Sequence, residues 1–233
     1  MNWPKLSILT PTYNRRKFLP VMIHNVSNFD YPKEKLEWCI LDDGTEKMFT
    51  PSELKEVKKE LHPIRVKYRT LETKKAIGHK RNAVVKQASY KTVIMMDDDD
   101  IYFPEYLKTS IQHLQEGNFG LVGSKDMILT FPLNEFHIAK FTGGSKRQVH
   151  EATMCFTKKY FKSMGGFNRT GTHGEGTKMI DHNEKSIGLT NIENCMMCVV
   201  HTENTYNKDR FRTDVRYKHT LSEKNIHSLK LYE

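Results

Sequence analysis

Four consecutive aspartates follow an apolar run near the middle of this chain. Residues 93–96 are apolar, partly β-branched and flanked by polar residues, which predicts a buried β-strand that ends in the acids of residues 97–100. Ligands bind at the carboxyl ends of strands in open α/β sheets, and a divalent cation relieves the repulsion between neighbouring carboxylates. Such a run also occurs before helices, and Pro104 opens a predicted helix directly after it.

A second predicted strand has the same arrangement nearer the N-terminus. Residues 37–41 form an apolar run that ends in Asp42 and Asp43 and is followed by Gly44. Because the carboxyl ends of parallel strands meet at one edge of a sheet, we expect Asp43 and the acids of residues 97–100 along one crevice.

Strand and helix patterns alternate through the first half of the chain, which predicts a single α/β domain for the 233 residues. The predicted strands there cover residues 5–10, 37–41, 64–68 and 93–96, and the helices cover residues 16–29, 52–61, 77–88 and 104–116. The second half predicts strands over residues 120–123, 126–131, 150–157 and 194–201, and helices over residues 158–164, 175–187 and 218–231, the last one basic. Residues 133–147 have only a weak pattern.

Composition narrows the class of protein. The net charge of +9 comes from dispersed lysine and arginine, without the aromatic-interleaved pattern of RNA-binding domains, so nucleic acid is a disfavoured partner. The sequence has no apolar run of the length of a signal peptide or membrane span, which predicts a cytoplasmic protein, in the host cytoplasm if the source is viral. The four cysteines lie mostly in apolar runs, which favours buried, reduced thiols.

Arg81 interrupts the apolar face of a predicted helix. Ile77, Arg81, Val84 and Ala88 have the spacing of one helical stripe, so a guanidinium stands where core side chains are expected. It could extend to solvent from the helix start, or bind an anion such as a diphosphate or the acid cluster.

The order of these segments resembles glycosyltransferase family 2, which has the GT-A fold. The resemblance is carried by residues 6–15, 40–45, 81–83 and 96–105, and more loosely by the Gly-Gly-Phe-Asn turn at residues 165–168. It implies a Rossmann-like α/β/α sandwich with a central mixed, mostly parallel sheet. Residues 1–116 are then the nucleotide-sugar half, residues 117–206 the acceptor and catalytic half, and residues 207–233 a basic helical tail. The segments at residues 151–154 and 201–205 resemble a short branch of the family that is also found in large DNA viruses.

The resemblance also implies roles for single residues in binding a nucleotide-sugar and Mn²⁺ or Mg²⁺. Asp97 and Asp99 match the DXD pair of the family, with Asp99 as the metal ligand and Asp97 on the ribose or a metal-bound water, which also makes it a candidate ligand. Asp98 is an extra acid at the central position; it is a nucleotide-sugar residue and the alternative to Asp99 on the metal. A late histidine, His201, is a further candidate ligand. Cys195, Cys198 and His201 have a spacing that could suggest zinc instead, but the two cysteines point to opposite faces of a strand. The remaining nucleotide-sugar residues are Pro11, Thr12, Tyr13 and Arg15 for the base and ribose, Asp43 for a uracil, and Arg81 for the diphosphate.

The implied reaction is transfer of a sugar, most simply from a UDP-sugar, to a hydroxyl of a glycan or other acceptor, with inversion. A carboxylate must take the proton of that hydroxyl. Many family members carry a Glu-Asp pair for this purpose after the Gly-Gly-Phe turn. This chain lacks the pair, which leaves Glu175 as the first candidate and Asp181 as the second.

Two other functions remain open from the sequence. A sugar-phosphate nucleotidyltransferase also uses paired acids and a divalent ion, but it would show a glycine-rich, basic loop after the first strand, where this chain has Thr10-Pro11-Thr12-Tyr13-Asn14. A non-catalytic basic module would bind nucleic acid or an anionic surface with a steep salt dependence. The sequence does not indicate the sugar, the acceptor, the choice between UDP, GDP and dTDP, or the oligomeric state.

Overall fold

A seven-stranded sheet and a smaller four-stranded sheet form the centre of the molecule. The structure, a computed structural model, describes residues 2–132, 137–171, 173–181, 183–204, 208 and 210–226. The large sheet has the strand order β10-β6-β9-β4-β1-β2-β3, and the small sheet has the order β5-β11-β7-β8. In the large sheet only β9 runs antiparallel to its neighbours, so the predicted mixed, mostly parallel sheet is confirmed.

The first half of the chain builds the parallel part of the large sheet. Every residue of its two central strands is buried, which is why these strands read as apolar runs rather than alternating patterns. Strands and helices alternate here in the predicted order. The elements are β1 (Leu6–Thr12), α1 (Leu19–Asn28), β2 (Leu36–Asp42), α2 (Pro51–Glu60), β3 (Arg65–Thr70), α3 (Ile77–Gln87), β4 (Thr92–Met95), β5 (Ile101–Tyr102) and α4 (Tyr106–Glu116).

The second half completes both sheets with shorter elements. Strand β9 inserts between β4 and β6, and β11 joins the two-residue strand β5 to β7. This arrangement brings the end of β11 beside the acids that follow β4. The elements are β6 (Leu121–Gly123), β7 (Met127–Phe131), β8 (His137–Phe141), β9 (Cys155–Thr157), α5 (Lys158–Met164), α6 (Thr177–Ile180), β10 (Ile187–Leu189), β11 (Met196–Val199), α7 (Arg210–Thr213) and α8 (Glu223–Ile226).

Two predictions for the second half were wrong. Residues 175–187 do not form one helix: α6 has four residues and is followed by a helical turn and β10. Residues 150–154 belong to a turn rather than to a strand, because the Thr153 hydroxyl bonds the His150 carbonyl (2.8 Å) and also accepts the Ser124 N–H (2.8 Å). The weakly patterned segment contains β8, which pairs along its whole length with β7.

The helix predicted over residues 218–231 is also wrong in its first part, because its described residues before Glu223 are not helical. Lys218 forms a β-bridge with Ala139, and the N–H of His219 donates to the carbonyl of Ile138, so the chain passes along β8 in extended form. Helix begins only at α8. Residues 227–231 of the predicted helix lie outside the described residues. Leu221 and Asn225 are buried, which explains the apolar spacing of this segment as packing against the small sheet.

Helix α3 is fixed to the turn at residues 165–168, and this contact positions the site. The Asn82 amide donates to the Phe167 carbonyl (2.8 Å), and its oxygen accepts the Phe167 N–H (2.9 Å). One turn earlier, Gly78 allows the backbone of Asn168 to approach closely, because a Cβ at position 78 would lie 1.8 Å from the Asn168 carbonyl oxygen.

We expect Gly78→Ala to destabilise the fold by at least about 2 kcal/mol, although alanine favours a helix interior by about 1 kcal/mol over glycine. The clash is with backbone, which cannot move without disturbing the turn. Denaturant unfolding measures the effect. Gly144→Ala is the control, since its Cβ would have its nearest neighbour at 3.4 Å. Equal stability of the two variants would contradict the close approach.

Candidate active site

A cavity of about 920 Å³ opens at the carboxyl ends of β1 and β4 and extends towards the small sheet. Its position is the one expected for a ligand site in an α/β sheet. One end is strongly basic and the other is apolar. The lining includes Pro11, Thr12, Tyr13, Arg15, Lys74, Lys75, Lys80 and Arg81 at the basic end, the acids of residues 97–100, Glu151 and Glu175 in the middle, and Met127, Leu129, Phe141 and Phe211 at the apolar end.

Asp43 lies directly behind the basic end. Its side chain is buried, and its two oxygens accept the N–H of Lys75 (2.6 Å) and the Nζ of Lys80 (2.9 Å). The Nζ of Lys74 lies 4.1 Å from the centre of the Tyr13 ring, so this aromatic side chain has a cation on its face. A carboxylate has about four acceptor positions, so two contacts leave capacity for a further donor.

Arg81 is held between two carboxylates. Its Nη1 and Nη2 donate to the two oxygens of Asp97 (2.9 and 3.2 Å), and its Nε donates to Oε1 of Glu175 (2.7 Å). Burial opposes the charge of this guanidinium, but Asp97 and Glu175 together raise the pKa of Arg81 above its ordinary value. The sequence left open whether Arg81 extends to solvent or binds a diphosphate or the acid cluster. In the structure it binds Asp97 of the acid cluster, and also Glu175.

The four aspartates have different environments. Asp97 pairs with Arg81, while Asp98 is buried and its pKa is raised well above the ordinary value by burial and then by the charge of Asp99. Asp100 is also buried, and its Oδ1 accepts the N–H of Val199 in β11 (3.1 Å), which gives it a structural role. Burial and the charge of Asp99 raise the pKa of Asp100 to about 8.

Asp99 is the acid that meets the late histidine. Its Oδ2 lies 3.0 Å from Nε2 of His201 and 3.9 Å from Nη2 of Arg15. Burial opposes its charge, but the His201 hydrogen bond and the Arg15 charge lower the pKa of Asp99. The Nδ1 atom of His201 accepts the N–H of Glu203 (3.2 Å), which orients the ring so that Nε2 faces the carboxylate.

The donor set of Asp99 and His201 fits a divalent cation. A carboxylate and an imidazole are ligand types that divalent cations take in proteins, and here Oδ2 and Nε2 lie 3.0 Å apart in a hydrogen bond. A cation held by these two residues would replace that hydrogen bond, and the neutral ring would then carry its proton on Nδ1. Within the described part of the chain, no group of three or more His, Cys, Asp or Glu side chains surrounds one metal position. Ions that bind phosphates commonly use one or two protein ligands and complete their shell with water and phosphate oxygens.

The two predicted base residues are placed differently. Glu175 lines the cavity and is 4% exposed, whereas Asp181 follows α6 and is not among the residues of the cavity wall. The acid that sequence reasoning missed is Glu151, whose Oε1 accepts the N–H of Gly176 (2.9 Å). Glu151 begins the segment at residues 151–154 that resembles a branch of the family, but that resemblance gave it no role, because the turn between β8 and β9 brings it to Glu175 only in the folded chain.

Two lysines of the wall were also missed. Lys80 is buried against Asp43, and Lys208 places its Nζ 2.8 Å from the Sγ of Cys198. Burial opposes the charge of Lys208, but Cys198 and Asp100 raise its pKa. All four cysteines are buried thiols, as their apolar surroundings predicted.

The fold defines an α/β domain of the GT-A type, with a cavity at the carboxyl edge of the sheet. The family model described as Glycosyl transferase family 2 matches residues 7–167, and the chain belongs to this family. None of the helices in the described residues is long and apolar enough to cross a membrane.

Curated relatives share about half of this chain. The poly(ribitol-phosphate) beta-N-acetylglucosaminyltransferase TarS of Staphylococcus aureus is 31% identical over 113 residues, which are 48% of this chain and 19% of TarS. The GalNAc(5)-diNAcBac-PP-undecaprenol beta-1,3-glucosyltransferase of Campylobacter jejuni is 32% identical over 123 residues, which are 52% of this chain and 38% of that enzyme. The matched part therefore spans less than two fifths of either relative.

Solved structures share the fold. The structure of S. aureus TarS 1-349 in complex with UDP-GlcNAc has a TM-score of 0.65 at 20% identity, covering 86% of this chain and 60% of that one. The mannosyltransferase PcManGT from Pyrobaculum calidifontis, in complex with GDP-Man and Mn²⁺, has a TM-score of 0.64 at 18% identity, covering 99% of this chain and 69% of that one.

Proposed function

We propose that this chain transfers a sugar from a nucleotide-sugar, foremost a UDP-sugar, to an acceptor hydroxyl, with a divalent cation and with inversion at the anomeric carbon. The observation that carries the proposal is the pair of Asp99 and His201, with Asp99 in the same cavity as Arg81, at the carboxyl edge of a family 2 sheet. The relatives support it, since two named enzymes transfer sugars and the solved structures contain UDP-GlcNAc or GDP-Man.

Asp99 and His201 would hold Mn²⁺ or Mg²⁺, and the Mn²⁺ in the PcManGT complex supports this choice of ion. The ion supplies positive charge to the leaving diphosphate when it is bound. Asp97, the other predicted ligand, uses both oxygens on Arg81, so its proposed role is to orient that guanidinium towards the donor. Asp98 also lines the cavity, but it is buried and its pKa is raised, so Asp99 is the favoured ligand of the ion.

The basic end of the cavity would bind the nucleoside diphosphate. Tyr13 lines this end and offers a ring face for the base. Asp43 is not part of the cavity wall; it lies buried behind it, with acceptor capacity left for the N–H of a uracil. Pro11, Thr12 and Arg15 form the adjoining wall towards the ribose and the phosphates. Arg15 lies near Asp99, so it would contact the diphosphate where the cation binds.

Asp43→Asn should lower the affinity for UDP about tenfold, equivalent to about 1.4 kcal/mol, and reduce the preference for UDP over ADP. The amide has one acceptor oxygen in place of two and cannot neutralise Lys80. Calorimetry with both nucleotides measures the change. Glu72→Gln, at an exposed position, is the matched control. An equal loss of affinity for UDP and ADP would contradict base recognition by Asp43.

In the proposed reaction the acceptor oxygen attacks the anomeric carbon from the face opposite the leaving diphosphate. Arg81 stabilises the charge that develops on the leaving group, and one displacement inverts the configuration. A carboxylate on the cavity wall takes the proton of the acceptor hydroxyl. Of the two residues predicted for this role, Glu175 lies on that wall and Asp181 does not.

The experiment that tests this function is release of UDP from UDP-GlcNAc and UDP-glucose, with and without Mn²⁺. Poly(ribitol phosphate), the acceptor in the name of one relative, and water serve as acceptor probes. We expect release that depends on Mn²⁺ and is removed by EDTA, with Asp181→Asn as an active control. If the wild-type chain bound these donors but released no UDP with any probe, transfer from a UDP-sugar would be contradicted.

A further inference from the structure

The proton of the acceptor hydroxyl must move to a carboxylate whose negative charge is not needed to pair another buried group. Glu175 is one of the two anionic partners of the buried Arg81, and its Oε1 accepts the Nε hydrogen at 2.7 Å. A proton on Glu175 would remove half of the charge that pairs this guanidinium. Breaking a buried ion pair by removing one partner is strongly unfavourable, so Glu175 is poorly suited to cycle through a protonated state.

Glu151 lies beside Glu175 and fills space that position 176 leaves open. A Cβ on Gly176 would lie 2.7 Å from Cγ and 2.9 Å from Oε1 of Glu151, and 2.8 Å from the terminal methyl of Met154. The carboxylate of Glu151 therefore occupies the volume that a side chain following Glu175 would need. The hydrogen bond from the Gly176 N–H fixes Oε1 in this place, and Glu151 is part of the cavity wall.

The surroundings of Glu151 suit a proton acceptor. Burial raises its pKa, the charge of Glu175 raises it further, and the Arg81 charge and the Gly176 N–H act in the opposite direction. Glu175 and Arg81 are the charged side chains with the largest effects on this pKa. A carboxylate with a raised pKa is a stronger base than an ordinary glutamate.

We propose that Glu151 is the catalytic base of the transfer and that Glu175 is a positioning residue for Arg81. This inference rests on the proposed function. In the step, the acceptor O–H bond breaks and its proton moves to Glu151, while the acceptor oxygen forms its bond to the anomeric carbon. The bond from that carbon to the phosphate oxygen breaks, and its electron pair leaves with the nucleoside diphosphate. Glu151 then returns the proton to solvent.

Glu151→Gln tests the assignment, with UDP release from UDP-GlcNAc and UDP binding as the two readouts. The amide keeps an oxygen to accept the Gly176 N–H, so a merely structural role would be preserved. We expect a loss of about 100-fold or more in rate, with UDP affinity unchanged within about twofold. Glu175→Gln should differ, because it disturbs Arg81 and weakens donor binding as well. A Glu151→Gln variant with the wild-type rate overturns the inference.

A relocated carboxylate gives an independent test. Glu151→Ala removes the carboxylate that blocks position 176, and Gly176→Asp then supplies an acid in the same volume, with a shift of the flexible Met154 methyl, which would lie 2.8 Å from the new Cβ. Gly176 has φ −77°, which any residue adopts, so the substitution does not strain the backbone. We expect the double variant to recover at least about tenfold of the rate that Glu151→Ala loses. No recovery, in a double variant that binds UDP normally, counts against Glu151 as the base.

The pH dependence supplies a third readout. Glu151 must be ionised to act, and its folded-state pKa is raised, so the rate should fall as the pH falls through a value above the ordinary 4.5. Glu151→Gln should lose this acidic limb, and a limb that persists unchanged contradicts the assignment. If the wild-type chain itself releases no UDP, the proposed function fails; if it does and Glu151→Gln does too, only this inference fails.

Discussion

Asp99→Asn should reduce Mn²⁺-dependent UDP release at least about 1,000-fold, because the ion's contribution to charge stabilisation is worth several kcal/mol. Asparagine keeps the size of the side chain and an oxygen at the cavity wall, but it loses the negative charge that a hard cation needs. The loss should appear first in the nucleotide titration: UDP binding should no longer respond to Mn²⁺.

The adjacent acid provides the control for this prediction. Asp100→Asn keeps an oxygen that accepts the Val199 N–H, and the side chain is buried with β11. We expect the Mn²⁺ dependence of UDP binding to stay within about threefold of the wild type. If Asp99→Asn and Asp100→Asn behaved alike, the ion would not be held by Asp99 and the role of His201 as its second ligand would also be wrong.

Arg81→Met should lower the free energy of unfolding by about 3–5 kcal/mol. The methionine fills a similar volume, but Glu175 is then left buried and unpaired, and Asp97 loses two hydrogen bonds. Glu175→Gln in the same chain should restore part of the stability, because it removes the buried charge. Denaturant unfolding of the single and double variants gives the coupling between the two residues.

An exposed ion pair is the matched comparison for Arg81. Arg216 pairs with Asp214 at the surface, where its side chain is 77% exposed, so Arg216→Met should leave stability unchanged within the error of the measurement. If Arg81→Met also left the free energy of unfolding unchanged, the ion pairs of Arg81 with Asp97 and Glu175 would not contribute to the stability of the fold.

The first half of the chain could be predicted from sequence because its elements are long and their signals are local. Strands β1 and β2 are continuous apolar runs, and α2 begins with Thr50 and Pro51, where Glu53 completes a capping box. The acids after the strands marked the edge where the cavity lies, and Arg81 stood out as a charge on an apolar face.

The second half was harder to predict because its elements are short and depend on distant partners. Strand β8 exists through its pairing with β7, and α6 has too few residues to show a helical period. Glu151 meets Gly176 across 25 positions of sequence, and Lys80 meets Asp43 across 37, so neither contact has a local pattern. The resemblance gave the class of site but no unique base, because the Glu-Asp pair of the family is absent; of the two candidates, Glu175 lies on the cavity wall and Asp181 does not.

The central claim is a metal-dependent nucleotide-sugar site, and calorimetric titration tests it most directly. UDP, GDP, dTDP and ADP are each titrated into the purified chain with and without Mn²⁺. We predict that UDP binds most tightly and that its binding requires Mn²⁺. If none of the four nucleotides binds in either condition, the acids at the carboxyl edge are structural and the account is contradicted.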